Sequence, residues 1–333
     1  VYTVLGGCGA KYEVTIDEIL VRSTYRPSIA VARQYISPNG FIYLVGDSAH
    51  QNIPTGGYGM NMGLGDAFDL GWKLATVMKG HGGLALLRAY EQDRRPVALK
   101  TIERSGVHIA AHMTGGALLP MPYAELNSAA GETAKERVRK HYAENDGENR
   151  DLGIEMDYRY NSSICIPCPT MEEPAWLPST YTPSTNPGSR APHVFLKDGT
   201  AIFDKYGKYF SLIVFPQAGA TENSVKLLLE AGAQNNVPVE LVTLANEDNA
   251  CKVWGNVQLV LVRPDGHVAW RGEDVLDAAT AASIIRVVAG LVDGVPTGAQ
   301  MQEVVPEKAF TGTVEVMKQD VQYELVRMGE FQT

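Results

Sequence analysis

The sequence predicts an α/β protein built as two units joined by a proline-rich connection, and three observations carry that prediction. The apolar run Phe41-Ile42-Tyr43-Leu44-Val45 ends at Gly46-Asp47 and leads into a glycine-rich loop and a long helical stripe. Seven prolines fall between Cys165 and Pro192, a density that helix interiors exclude. From Tyr209 onward, strand and helix patterns follow one another in the order β-α-β-β-β-α.

Taken in order, Ser28 to Tyr35 reads as a strand, and Asn39-Gly40 is a turn dipeptide. Phe41 to Val45 reads as a buried strand of a parallel sheet, because its apolar residues are continuous. After the loop Pro54 to Gly59, residues Met60, Leu64, Ala67, Leu70, Leu74 and Val77 recur at three and four, which predicts one apolar helix face. Gly80 to Gly83 breaks that helix. A second starts at Leu84, bends or restarts at Pro96 and runs on to Ala111. Thr133 to Tyr142 is a charged amphipathic helix, and Cys165 to Pro192 an extended linker. In the second unit, Tyr209 to Phe215, Val237 to Leu244, Gln258 to Arg263 and His267 to Trp270 read as strands. Glu222 to Ala233 and Asp277 to Leu291 read as helices, Pro264-Asp265-Gly266 as a hairpin turn, and Thr313 to Val316 as a further strand.

The 333 residues are 45% hydrophobic and 20% charged, which suits two globular domains. The net charge of −9 argues against nucleic-acid and anionic-membrane partners, since both need a basic face. No apolar run approaches the roughly 20 residues of a membrane span. The chain opens on Val1 with no signal-like segment, so a cytoplasmic fragment or processed product is expected. Four cysteines, Cys8, Cys165, Cys168 and Cys251, are too few for a disulfide framework. Cys165-Ile-Pro-Cys168 has redox spacing, but it lies in the proline-rich stretch without a second ligand pair, so loop cysteines without chemistry and no metal are expected.

The segment that carries chemistry starts at Gly46-Asp47-Ser48-Ala49-His50. It continues through Pro54-Thr55-Gly56-Gly57-Tyr58-Gly59-Met60-Asn61 and ends with Asp66-Ala67-Phe68-Asp69-Leu70-Gly71-Trp72-Lys73-Leu74. A strand ending in a carboxylate, a loop of small residues and a helix N-terminus suit a polyol-bearing ligand whose far end becomes anionic. Trp72 and Leu74 are read as helix packing and His50 as structural. Asp66 is open between helix-internal hydrogen bonding and ligand contact.

This segment resembles the second FAD-binding motif of the para-hydroxybenzoate hydroxylase-like flavoprotein monooxygenases, over about thirty residues with many fixed positions. The resemblance implies that Gly46 and Asp47 hold the ribityl chain. It implies that Pro54 and Gly57 pass the isoalloxazine ring, and that Gly59, Met60 and Asn61 face its pyrimidine edge. Ser48 stands where the family usually has Ala, Tyr58 where it often has Gln, and Asp69 where it often has Asn. Gly188-Ser189-Arg190-Ala191-Pro192-His193, Asp198-Gly199 and Leu261 to Gly272 look like the thioredoxin-like C-terminal domain of phenol and polyketide hydroxylases. Pro216-Gln217-Ala218-Gly219-Ala220 follows the first strand of that domain, without a cysteine, so the domain is expected to be redox-inactive.

The resemblance thus implies an α/β fold: a partial FAD-binding domain followed by a thioredoxin-like domain. The expected division is 1–38 for the end of a substrate-domain sheet, 39–115 for the FAD part and 116–186 for connecting helices and linker. Residues 187–293 would be the thioredoxin-like domain and 294–333 a tail. The implied activity is hydroxylation of a small phenolic or polyketide-type ring through a C4a-hydroperoxyflavin, with FAD as cofactor and NAD(P)H and O₂ as co-substrates. A homodimer is compatible with it. Catalysis belongs mainly to the cofactor, so no acid, base or nucleophile is assigned. The pyrophosphate loop G-x-G-x-x-G occurs nowhere in the sequence, and Gly6-Gly7-Cys8-Gly9 lacks the spacing. The chain alone is therefore expected to be incomplete. The alternative is a non-enzymatic binding or dimerising fragment that no longer holds FAD.

Overall fold

A computed structural model describes residues 14–21, 28–119, 125, 127–292 and 323–324. The Gly6 to Gly9 run and the strand expected at Thr313 to Val316 lie outside them.

In the first half, strand β1 (Ala30–Ala32) pairs antiparallel with β2 (His50–Gln51), placing Val31 opposite His50. The strand expected over Ser28 to Tyr35 is thus only three residues long. The buried parallel strand expected at Phe41 to Val45 does not form. Gly40, at φ +73°, closes a turn in which its N–H donates to Ser37 (2.8 Å), and a single antiparallel bridge joins Ile36 to Tyr43. Phe41 and Ile42 sit at the tip, 85% and 61% exposed, while Tyr43, Leu44 and Val45 turn inward against the core.

Helix α1 (Tyr58–Met78) packs along α2 (Ala85–Ala117). The expected apolar stripe holds only in the second half of α1, where Leu70 is buried and Leu74 and Val77 pack on the core; Met60 and Leu64 are 74% and 62% exposed, and the helix also buries Met62, Asp66, Asp69, Trp72 and Lys73. The charged side chains turn inward because the opposing surfaces supply their counter-charges. Helix α2 continues through Pro96 and does not restart there. Buried Asp93 and Arg94 before the proline and Val97 and Ala98 after it anchor both sides. Helix α3 (Ala129–Glu144) starts at Ser128, whose side chain accepts from Gly131 N–H, and the short α4 (Leu152–Met156) follows.

The stretch Cys165 to Pro192 is irregular, but it is no free linker. Gly188 N–H donates to Val268 O (2.7 Å) and Ala191 N–H to Gly266 O (2.9 Å), and Cys165 and Ala191 are fully buried. Its prolines block a ladder of its own, while its remaining N–H groups complete the edge of the sheet that follows.

The second half runs β3 (Phe210–Val214), α5 (Glu222–Gln234), β4 (Val239–Thr243), α6 (Asp248–Val253), β5 (Leu259–Val262), β6 (Val268–Gly272) and α7 (Ala278–Val288). The short helix α6 interrupts the expected β-α-β-β-β-α order. The sheet order is β4-β3-β5-β6, with β3 and β4 parallel and the other pairs antiparallel, a thioredoxin-like arrangement. One face packs on α5 and α7 and also receives Trp72, Leu86 and Ala89 from the first half; the other closes over Phe215 and Trp254. The Pro264 to Gly266 turn forms as expected, with Gly266 N–H donating to Arg263 O (2.9 Å).

Candidate functional site

The short 3-10 turn Gly46–Ser48 is fixed from behind by Asp66 of α1. One Asp66 oxygen accepts from Gly46 N–H (3.1 Å) and contacts His50 Nε2 (2.7 Å); the other accepts from Arg94 Nε (2.7 Å). This resolves Asp66 as a structural hub and His50, 1% exposed, as its partner. Burial pushes the Asp66 carboxyl up, but the His50 hydrogen bond and the Arg94 charge outweigh it and hold it below the usual range. Gly46 lies in left-handed space at φ +59°, and a Cβ on Gly63 would stand 3.5 Å from its Cα, so backbone meets backbone here. Ser48 closes the turn, its Oγ donating to Val45 O (2.8 Å). Asp47 is exposed, and its carboxylate has no hydrogen-bond partner among the described residues.

The loop that follows is wired to distant parts of the chain. Gly57 N–H donates to Pro54 O (3.0 Å), Thr55 Oγ1 to Ser105 O (2.9 Å) and Gly56 N–H to Glu148 Oε1 (2.7 Å). Gly57, at φ +67°, is the N-cap of α1 and offers no side-chain cap, and no acidic residue lies in the first turn. The first-turn N–H groups therefore keep their partial positive charge toward solvent. A Cβ on Gly59 would meet nothing within 4 Å, Met60 and Asn61 are exposed, and Asn61 Nδ2 donates to Gly57 O (3.0 Å). Asp66 thus holds the turn that carries Asp47, while Ser105 and Glu148 hold the Pro54 to Gly57 loop at the N-terminus of α1.

Two networks escape sequence reading. In the first, Tyr58 OH meets His108 Nε2 (3.0 Å), His108 lies 3.5 Å from Asp151, and Arg104 Nε donates to Asp151. Burial pushes the Tyr58 hydroxyl up to about 12 and lowers the His108 pKa, so both are neutral near pH 7. Arg104, His108 and Asp151 line a pocket of about 670 Å³ between the second half of α2 and the 144–152 segment. In the second, Lys73 Nζ donates to Asp69 (2.6 Å) and Asp93 (2.7 Å), and Arg263 Nη2 to Asp69 (3.0 Å), Asp93 (2.9 Å) and Asp265 (2.5 Å). Trp72 Nε1 also donates to Asp265 (3.2 Å), and its ring packs edge-on against Phe210 at 6.1 Å. An Asp-Lys pair four apart reads in sequence as a surface pair; only the fold reveals that Arg263 reaches it from the second half.

Cys165 is buried and its thiol pushed up to about 11 by that burial; Cys168 is partly exposed. Among the described residues no cluster of His, Cys, Asp or Glu is arranged to hold a metal, and no helix is long and apolar enough to cross a membrane.

Residues 10–105 match the family described as FAD binding domain, and residues 184–290 the family described as aromatic-ring hydroxylase, C-terminal. The chain is 43% identical over 296 residues to the FAD-dependent monooxygenase apdD of Emericella nidulans, covering 87% of this chain and 47% of that protein. It is 41% identical over 293 residues to the FAD-dependent monooxygenase opdD of Penicillium oxalicum, covering 87% and 56%. Among solved structures, RebC-10x soaked with chromopyrrolic acid, with bound 7-carboxy-K252c, superposes with a TM-score of 0.71 at 34% identity over 84% of this chain and 51% of that one. The flavin-dependent monooxygenase PieE in complex with FAD and substrate superposes with a TM-score of 0.68 at 27% identity, over 80% and 49%. The chain spans about half the length of the curated relatives it matches.

Proposed function

The chain belongs to the FAD-dependent aromatic-ring hydroxylase family, and from that premise we propose that it forms the ring-side half of the flavin site in a monooxygenase acting on a phenolic or polyketide-type ring. NAD(P)H is the reductant in this reading and O₂ the co-substrate. The observation that carries it is the exposed carboxylate of Asp47, without a hydrogen-bond partner among the described residues, in a turn that Asp66 holds through Gly46 N–H, beside a helix N-terminus that no side chain caps.

The residues present fit the group. Asp47 accepts hydrogen bonds from ribityl hydroxyls, with Gly46 shaping the turn. Pro54 and Gly57 give a flat, side-chain-poor surface for the ring. The backbone at Gly59, Met60 and Asn61 places the positive end of α1 at the pyrimidine edge, where negative charge gathers on reduction. Bound FAD would supply the redox chemistry that activates O₂; the protein orients the ring and excludes water. The second half carries no cysteine at the loop after β3, so its work is structural: it holds α1 through Arg263 and Asp265. The chain divides in this reading into an FAD part at 39–115 and a thioredoxin-like part at 187–293, joined by 116–186. Replacing Asp47 by Ala tests the assignment. Flavin binding should weaken by about 1–3 kcal/mol, the scale of one hydrogen bond to a charged group, with melting of the flavin-free chain unchanged. Unaltered flavin affinity would remove Asp47 from the site.

A further inference from the structure

The pocket beside the flavin loop has a chemistry of its own. Its volume, about 670 Å³, is that of a small-molecule site. Val107, Ala111 and Leu152 give it apolar walls, and Arg104, His108 and Asp151 its polar end. Asp151 is 1% exposed; its Oδ2 accepts from Arg104, and its Oδ1 is buried without a hydrogen-bond partner among the described residues. Arg104 uses only Nε on Asp151, and its two terminal nitrogens have no hydrogen-bond partner among the described residues. A buried acceptor and a partly exposed guanidinium therefore stand side by side, and the buried Asp151 oxygen is the one that is costly to leave unpaired. Gly147 lies against both: a Cβ there would come within 2.4 Å of Arg104 Nη2 and 3.0 Å of Asp151 Oδ1.

Because Arg104 and Asp151 touch, a ligand that satisfies both must carry its donor and its acceptor on neighbouring positions. Resting on the flavin reading above, we propose that this pocket receives the oxygenated edge of the aromatic substrate and selects rings with two adjacent oxygens. One is a hydroxyl that donates to Asp151 Oδ1; the other is an anion or carbonyl that accepts from Arg104. The pocket is coupled to the flavin loop through His108, which meets Tyr58, and through Glu148, which accepts from Gly56 N–H. Arg104 and Asp151 are thereby the specificity-determining residues for this chain's substrate class.

The test needs no flavin. Salicylate, benzoate and para-hydroxybenzoate are titrated into the 333-residue chain by calorimetry. Salicylate has the adjacent oxygen pair, benzoate lacks the hydroxyl, and para-hydroxybenzoate has its oxygens at opposite ends of the ring. Salicylate should bind about tenfold or more tightly than either, the scale of one hydrogen bond to a charged group. Arg104→Met should remove that advantage. Since it also strands Asp151, Gly147→Ala is the companion variant. It keeps both side chains in the protein but displaces the flexible end of Arg104 and crowds Asp151, and should lower salicylate affinity by about tenfold with an unchanged circular dichroism spectrum. Equal binding of the three compounds, no binding of salicylate, or unchanged affinity in Gly147→Ala would overturn the proposal. Flavin titration is a separate measurement, so either assignment can fail while the other stands.

Discussion

Asp66 on α1 and Arg94 on α2 form a buried ion pair, Oδ1 to Nε 2.7 Å, whose second carboxylate oxygen holds the turn that presents Asp47. The flavin-side turn is therefore positioned by the packing of two helices. Asp66→Ala leaves Arg94 buried without its counter-charge and His50 without its hydrogen-bond partner. It should lower stability by about 3–5 kcal/mol, read by denaturant unfolding. A loss below about 1 kcal/mol would mean that the pair is not the anchor.

Arg263 should act as a plug between the two halves, since its guanidinium is fully buried against Asp69 and Asp93 of the helices and Asp265 of its own hairpin. Arg263→Met strands these carboxylates and should split a single thermal transition into two, with the thioredoxin-like half melting separately. A variant that still melts in one step at the original temperature would show that apolar contacts such as Trp72 on Phe210 suffice.

The same cluster gives a pH signature. Three carboxylates, Asp69, Asp93 and Asp265, face two basic side chains, Lys73 and Arg263. Burial, with Asp93 and Asp265 nearby, pushes Asp69 up to about 7, whereas Asp93 and Asp265 are held below the usual value, their cations outweighing burial. An acid whose folded pKa is raised stabilises most below its unfolded value of 3.8, and that contribution falls as pH rises toward 7. The depressed carboxylates, including Asp66, act oppositely. Their stabilisation is complete above about pH 4 and is lost as pH falls further. Asp69→Asn should therefore flatten the decline in stability between about pH 4 and pH 7 and leave the acid limb intact. An unchanged slope in that window would place the proton elsewhere.

How far the sequence alone reads this molecule depends on the range of the interactions. The glycine loop, α1 and the thioredoxin-like strands are local patterns, and they form close to where periodicity and turn residues put them. Phe41 to Val45 misleads because continuous apolarity cannot distinguish a central strand from a hairpin tip: the turn at Ser37 to Gly40 sends Phe41 and Ile42 outward. The apolar stripe of α1 misleads for a related reason. Asp66, Asp69 and Lys73 look like a solvated face until Arg94 and Arg263 arrive from 28 and 194 residues away. Tyr58 and His108, 50 positions apart, carry no joint signal in the sequence at all.

Cys165 and Cys168 should prove dispensable. Burial raises the Cys165 thiol to about 11, which removes the thiolate needed for redox or metal chemistry. A thiol-reactive dye should label Cys168, the partly exposed one, long before Cys165. Changing both to Ser should leave flavin binding unaltered and the protein zinc-free. Bound zinc lost on that change would overturn this assignment.

The central claim is that these residues grip the ring and ribityl chain of the flavin and not its pyrophosphate, since the sequence contains no G-x-G-x-x-G loop. Titrating riboflavin, FMN and FAD into the chain, followed by quenching of flavin fluorescence, tests it most directly. The account predicts weak binding of similar strength for all three, within a factor of about ten, because the added phosphates and adenosine meet no helix N-terminus of their own. Asp47→Ala should weaken all three together. FAD bound more than about a hundredfold tighter than riboflavin, and indifferent to Asp47→Ala, would contradict it.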